Sequence, residues 1–246
     1  MAKPVAVVTG AGSGIGRLIS RELLDSGYRV ALFGRRYESL KEASGNHEES
    51  LIVVGNVAIS ADVARLFDAV KQRWTRIDLL VNNAGISGPT GDVSEIEVSD
   101  WQQTIDVNLT GAFLCASYAF QAMKDQLPQG GRIINNGSIS AHVPRPRNVA
   151  YTASKHAVSG LSKAIALDGR PYRIACGQID IGNAATDLTT RYAASAVQAD
   201  GSTRPEPTFE PIHVAKTVVA MAELPLEVNV QSLTIVATAM PYVGRG

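Results

Sequence analysis

Short runs of apolar, often β-branched residues alternate with stretches of helical periodicity from one end of the chain to the other. The runs cover residues 5–8, 30–33, 51–54, 79–81, 132–135, 174–179 and 232–236. Each is nearly continuous rather than alternating, the pattern of strands covered on both faces. Helical patterns fall between them at about 15–26, 37–43, 60–73, 99–126, 152–168 and 212–223. Strand–helix alternation of this kind predicts right-handed βαβ units and a parallel sheet. The expected architecture is one α/β domain over 1–246, doubly wound, with a seven-stranded parallel sheet and helices on both faces. One stretch breaks the rhythm. Residues 183–211 hold Asn183, Asp200-Gly201-Ser202, Pro205, Pro207 and Pro211 with little periodicity. They read as a long loop with a short helix, the kind of segment that serves as a lid or binding loop.

Composition narrows the partners. The chain has 246 residues, 23 basic and 23 acidic, so its formal net charge is zero. That leaves no basic footprint for nucleic acid and no acidic tail. No apolar run reaches the ~20 residues of a membrane span, and MAKPVAVVTG lacks the apolar length of a signal peptide. The expectation is a cytoplasmic protein with no nucleic-acid or membrane partner. Cys115 and Cys176 sit in apolar surroundings and form no CxxC pair, so buried free thiols are expected and no metal site.

The first strand runs into TGAGSGIG, Thr9 to Gly16. Gly10, Gly14 and Gly16 supply a tight turn, close approach to a pyrophosphate, and bare packing of the next helix. The helix then points its positive end at the phosphates, with Ser13 and Ile15 beside them. Strand, glycine turn and helix in this order are the context that gives such a pattern weight. The second strand ends at Phe33-Gly34-Arg35-Arg36. An acidic residue ~20 residues past the glycines would take a ribose 2′-hydroxyl. Arg35 and Arg36 instead suit a 2′-phosphate, a planar cation against an anion. The expectation is therefore NADP ahead of NAD.

The second constellation is Tyr151-Thr-Ala-Ser-Lys155. Positions i and i+4 share a helix face, so an ammonium lies near a phenol. A phenol titrates near ~10 when free, and a neighbouring cation favours its ionised form. Tyr151 can then exchange a proton with an alcohol or carbonyl. Ser138 lies 13 residues earlier at the end of a predicted strand, which faces the ligand crevice of an open parallel sheet. Its hydroxyl can bind a substrate oxygen. Asn82-Asn83-Ala84-Gly85 closes another strand and can line the cofactor. Asn108 sits in a helical stretch where asparagine is a poor helix former; a side-chain or water contact would explain it, and a helix kink is the competing reading.

With these residues together, the chain resembles the short-chain dehydrogenase/reductase family over nearly its whole length. The resemblance rests on TGAGSGIG, NNAG at 82–85, Asn108, Ser138 and YTASK at 151–155. It implies a single Rossmann-type domain, a catalytic tetrad of Asn108, Ser138, Tyr151 and Lys155, and an oxidoreductase acting on a ketone or secondary alcohol of small to medium size. It implies that Lys155 holds the nicotinamide ribose, that Asn108 positions a water, and that Thr186 contacts the carboxamide. The cofactor set is Gly10, Ser13, Gly14, Ile15, Gly16, Arg35, Arg36, Asn56, Val57, Asn83, Ala84, Gly85, Tyr151, Lys155 and Thr186. The substrate set is Ser138, His142, Arg145 and Tyr151, with Ile86, Ser87, Gly88, Val143, Pro144 and loop 183–211 as further candidates. Members form dimers or tetramers through helices such as 99–126 and 152–168, so a homo-oligomer, keyed as a homotetramer, is expected.

Departures from the family pattern are Asn56 in place of aspartate, Ile181-Gly182 in place of Pro-Gly, and Ala239-Met240-Pro241-Tyr242 near the C-terminus. A non-catalytic dinucleotide sensor or scaffold, or an epimerase or dehydratase on the same fold, is the alternative.

Overall fold

A computed structural model of the chain describes residues 3–186, 189 and 194–242. Seven parallel strands form one sheet in the order β3-β2-β1-β4-β5-β6-β9. They are β1 (Val5–Thr9), β2 (Arg29–Gly34), β3 (Ser50–Val54), β4 (Leu79–Asn82), β5 (Gly131–Asn136), β6 (Ile174–Ile181) and β9 (Ser232–Ile235). All seven expected strands are present, within a residue or two of their expected bounds. The helices are α1 (Gly14–Asp25), α2 (Tyr37–Ser44), α3 (Ser60–Trp74), α4 (Val98–Ile105), α5 (Gly111–Asp125), α6 (Val149–Asp168) and α7 (Ile212–Ala222).

The continuous apolar strands serve two cores at once. Ala6, Val8, Val30, Leu32, Leu79 and Val81 face a cluster built on Ile19 and Leu23 of α1 and Val214 and Val218 of α7. Val5, Val7, Ala31, Phe33 and Leu80 face the other, against Leu66 and Val70 of α3 and Cys115 and Met123 of α5. Neighbouring residues of a strand point to opposite faces, so a strand buried on both sides must be apolar at every position. Truncating a fully buried residue such as Leu80 costs about 2–5 kcal/mol. Both cysteines are free and buried, and burial pushes each thiol up to about 12.

Two expectations change. The single helix expected over 99–126 is broken by a π-turn at Asp106–Thr110, between α4 and α5. This wider turn bends backbone carbonyls and side chains away from regular helical positions, and such turns gather at functional sites. The loop 183–211 carries a small antiparallel hairpin, β7 (Ala196–Val197) with β8 (Thr203–Arg204). The short helix expected within that loop lies, for 187–188 and 190–193, outside the described residues. No helix among the described residues is long and apolar enough to cross a membrane.

The strand order places the site. The chain builds outward from β1 to β3, then returns to lay β4 on the other side of β1. The connections leaving β1 and β4 therefore diverge, and they open a crevice at the carboxyl ends of these strands.

Candidate active site

That crevice is a cleft of about 790 Å³, and all fifteen residues of the expected cofactor set line it. The two strand ends that frame it are locked together. Thr9 Oγ1 accepts the backbone N–H groups of Asn83 and Ala84, each at 3.0 Å. Asn83 Nδ2 returns a bond to Thr9 O at 3.0 Å. The glycines divide the work as their spacing predicts. Gly10 turns at φ +65°, and a Cβ there would lie 2.9 Å from Ala84 Cα. Gly16 sits flush on the Gly10 carbonyl, where a Cβ would collide. Gly14 turns at φ +50°, and a Cβ there would come into ordinary contact with Thr186 at 3.7 Å, so its positive φ is what calls for glycine.

Arg35 and Arg36 are exposed on the rim, and neither guanidinium has an ion-pair partner among the described residues. Asn56 forms a tight turn, its Oδ1 accepting Ala58 N–H at 3.1 Å, so its amide nitrogen is the group left to face the cleft. Bare glycine turn, helix N-terminus and unpaired cations fit a dinucleotide whose pyrophosphate lies at α1 and whose ribose end reaches Arg35.

At the other end of the cleft, α6 delivers Tyr151 and Lys155 one turn apart. Lys155 Nζ lies 5.6 Å from the Tyr151 ring centroid and donates to the carbonyl of Asn136 at 2.7 Å. Burial pulls Lys155 down to about 8, while the charge of Asp180 opposes that fall. Burial also raises Tyr151 above the usual phenol value. The influences lowering it are a hydrogen bond with Ser138 and the charge of Arg145, with Asp180 raising it. Arg145 therefore adds a positive charge that favours the Tyr151 phenolate, beside the Lys155 ammonium one helical turn away.

Ser138 is seated from below. Its backbone N–H donates to Asp180 Oδ1 at 3.0 Å, and its hydroxyl accepts Ser140 N–H at 3.1 Å. Asn108 stands inside the π-turn and is 2 % exposed. Its Oδ1 accepts Ile86 N–H at 2.8 Å, and its Nδ2 donates to Ile86 O at 2.9 Å and Ser154 Oγ at 3.1 Å. Both readings of this asparagine therefore hold, since it has side-chain contacts and occupies an irregular turn.

The remaining candidates have firm partners. His142 Nε2 lies 2.8 Å from Asp180 Oδ2, with the imidazole 44 % exposed and the carboxylate fully buried. Arg145 Nη2 lies 2.6 Å from Glu206 Oε2 and 3.1 Å from Asn183 Oδ1. This buried pair ties the segment ahead of α6 to loop 183–211, and Glu206 is held down at about 2. Its burial opposes the shift, and the Arg145 and Asn183 hydrogen bonds outweigh it. Three residues escaped the sequence reading: Asn136, Asp180 and Glu206. A carboxylate inside the apolar run of β6, GQIDI, was the available signal for Asp180, because a buried charge needs partners. For Glu206 the ion-pair partner lies 61 residues away in the chain, so no local pattern marks the pair.

Comparison with known proteins gives a common answer. A family model described as short chain dehydrogenase matches residues 4–196. A 3beta-hydroxysteroid dehydrogenase of Mediterraneibacter gnavus is 38% identical over 197 residues, 77% of this chain and 69% of that protein. A 3-oxoacyl-[acyl-carrier-protein] reductase of Synechocystis is 33% identical over 198 residues, 78% of this chain and 79% of the relative. The closed form of a serine dehydrogenase solved with NADP+ superposes with a TM-score of 0.86 at 26% identity, covering 98% of each chain.

Proposed function

The chain belongs to the short-chain dehydrogenase/reductase family, enzymes that work with NADP or NAD, and from that premise we propose that it interconverts a ketone and a secondary alcohol of small to medium size. The observation that carries the reading is the meeting of Tyr151 and Lys155, one turn apart on α6, at one end of the dinucleotide-shaped cleft, with Ser138 near enough to Tyr151 to lower its phenol value.

The cofactor supplies or accepts a hydride at the substrate carbon. The protein's part is oxygen chemistry. The Ser138 hydroxyl binds the substrate oxygen and stabilises charge developing on it. The Tyr151 phenol gives a proton to that oxygen in reduction and takes it in oxidation. The Lys155 ammonium holds the nicotinamide-side ribose and bears on the phenol. Asn108 is a positioning residue, fixing the π-turn against Ile86 beside the cleft. Gly10, Ser13, Gly14, Ile15 and Gly16 hold the pyrophosphate, Asn56 and Val57 the adenine side, Asn83 to Gly85 the middle, and Thr186 the carboxamide. Arg35 and Arg36 favour NADP over NAD through the 2′-phosphate. His142 and Arg145 flank the substrate side.

The working form is a cytoplasmic homo-oligomer. Phe113 on α5 and Leu167 on α6 are more than half exposed, and a Cβ at Gly160 on α6 meets nothing within 4 Å, which leaves room for a second helix. A panel of ketones and secondary alcohols, followed by the absorbance of reduced nicotinamide, tests the activity. The reading requires turnover of at least one class, and silence across a broad panel with cofactor bound would count against it.

A further inference from the structure

Asp180 is the one carboxylate among the described residues that is 0% exposed. It collects four donors. Oδ1 accepts Ser138 N–H at 3.0 Å and Gln178 Nε2 at 2.6 Å. Oδ2 accepts His142 Nε2 at 2.8 Å and Ser232 Oγ at 3.4 Å. Space is cleared for it, because a Cβ at Gly137 would collide with Oδ1. An isolated buried carboxylate is costly. This one is retained under the reactive end of the cleft, beside Ser138 rather than in remote packing.

We propose that Asp180 is a positioning residue for the reaction, a fixed negative charge that seats Ser138 through its backbone and faces the Tyr151–Lys155 couple, with His142 closing its outer side. The proposal takes Tyr151 and Lys155 as the reacting pair and so rests on the function proposed above.

The groups around the carboxylate define what it can do. From the turn after β5 come Ser138 N–H and the His142 imidazole. From β6 and β9 come the uncharged donors Gln178 and Ser232. From α6 come Lys155 and Tyr151, and Arg145 adds a positive charge on the Tyr151 side. Burial drives Lys155 toward its neutral form, and the Asp180 charge opposes that fall. Burial is the main influence that raises Tyr151, and the same Asp180 charge adds to that rise. Both effects keep a proton on the couple, the state that carbonyl reduction consumes.

Asp180→Asn separates charge from seating. The amide oxygen still accepts from Ser138 and Gln178, and the amide nitrogen meets His142 Nε2, which becomes an acceptor in its other tautomer. The test is a titration of isotope-labelled lysine by NMR, with the Lys155 signal assigned from Lys155→Met. It needs no substrate, so its failure is distinct from failure of the proposed activity. The expected result is a Lys155 midpoint lower by about one pH unit in Asp180→Asn. The alkaline limb of kcat/KM for reduction of a ketone turned over by the wild type shifts down with it. Asp180→Ala loses the seat as well, and its kcat falls further while cofactor binding persists. An unchanged Lys155 midpoint and pH profile in Asp180→Asn would overturn the proposal. If Asp180→Asn does not fold, Asp180→Ser, neutral and smaller, is titrated in its place with the same two outcomes.

Discussion

The side chain of Asn108 satisfies both backbone groups of Ile86, accepting its N–H at 2.8 Å and donating to its carbonyl at 2.9 Å. One residue thus pins the loop after β4 to the π-turn between α4 and α5. Asn108→Ala leaves two backbone groups without partners, at about 1–3 kcal/mol each. For a chain of this size the melting temperature falls by about 2–4 °C per kcal/mol. Calorimetry checks this, and an unchanged Tm would show that water replaces the amide at no cost.

Lys155 sets a pH dependence of stability. Its value falls from 10.5 in the unfolded chain to about 8 in the fold. Between those values the unfolded state binds more protons, so this group's contribution to stability rises with pH. It is complete above 10.5 and lost as pH falls through about 8. Lys155→Met removes the buried charge along with the Asn136 bond. Its stability relative to wild type is therefore most favourable at neutral pH and declines by up to about 3 kcal/mol across that window. Urea unfolding at a series of pH values measures the decline, and a flat difference would contradict it.

Arg35 and Arg36, exposed and without an ion-pair partner among the described residues, are available to a 2′-phosphate. Loss of a charge-assisted contact of about 1.5–3 kcal/mol lowers kcat/KM with NADPH about tenfold or more in Arg35→Ala, while the NADH value holds. Steady-state kinetics with both cofactors decides. An unchanged preference in Arg35→Ala and Arg36→Ala would remove the arginines from cofactor selection.

Arg145 and Glu206 form an ion pair across 61 residues of chain, with the Glu206 side chain 1% exposed. Breaking such a pair from one side strands a buried charge and costs about 3–5 kcal/mol. Arg145→Ala, which leaves the Glu206 carboxylate buried without its cation, is expected to lose stability toward this range and to loosen loop 183–211 toward protease. The double change Arg145→Ala with Glu206→Ala loses less than the sum of the two single changes. Additive losses would show that the two side chains are not coupled.

Local chemistry was legible in the sequence and distant pairing was not. Strands such as β1 and β4 are apolar at every position because both faces are covered, and this leaves a direct mark. Gly10, Gly14 and Gly16 each answer a backbone constraint within a few residues. The π-turn was visible only as an oddity at Asn108, because the bonds its side chain makes there run to Ile86, 22 residues away. His142 and Arg145 stood out as candidate donors, but their partners Asp180 and Glu206 lie 38 and 61 residues off. Only folding brings them together, so neither the seating of Ser138 nor the tie of loop 183–211 is written in any local pattern. Helical spacing placed Lys155 beside Tyr151, and it lies there, 5.6 Å from the ring centroid; the added charge of Arg145 on the phenol left no local mark.

Tyr151 carries the proton in the proposed reaction. Tyr151→Phe removes one oxygen and leaves the helix, the cleft and Lys155 in place. The direct measurement is kcat/KM for a ketone accepted by the wild type, beside a fluorescence titration of NADPH binding on the same preparation. NADPH binding is expected to persist while turnover falls about a hundredfold to ten-thousandfold. A variant that binds NADPH and retains wild-type turnover would contradict it.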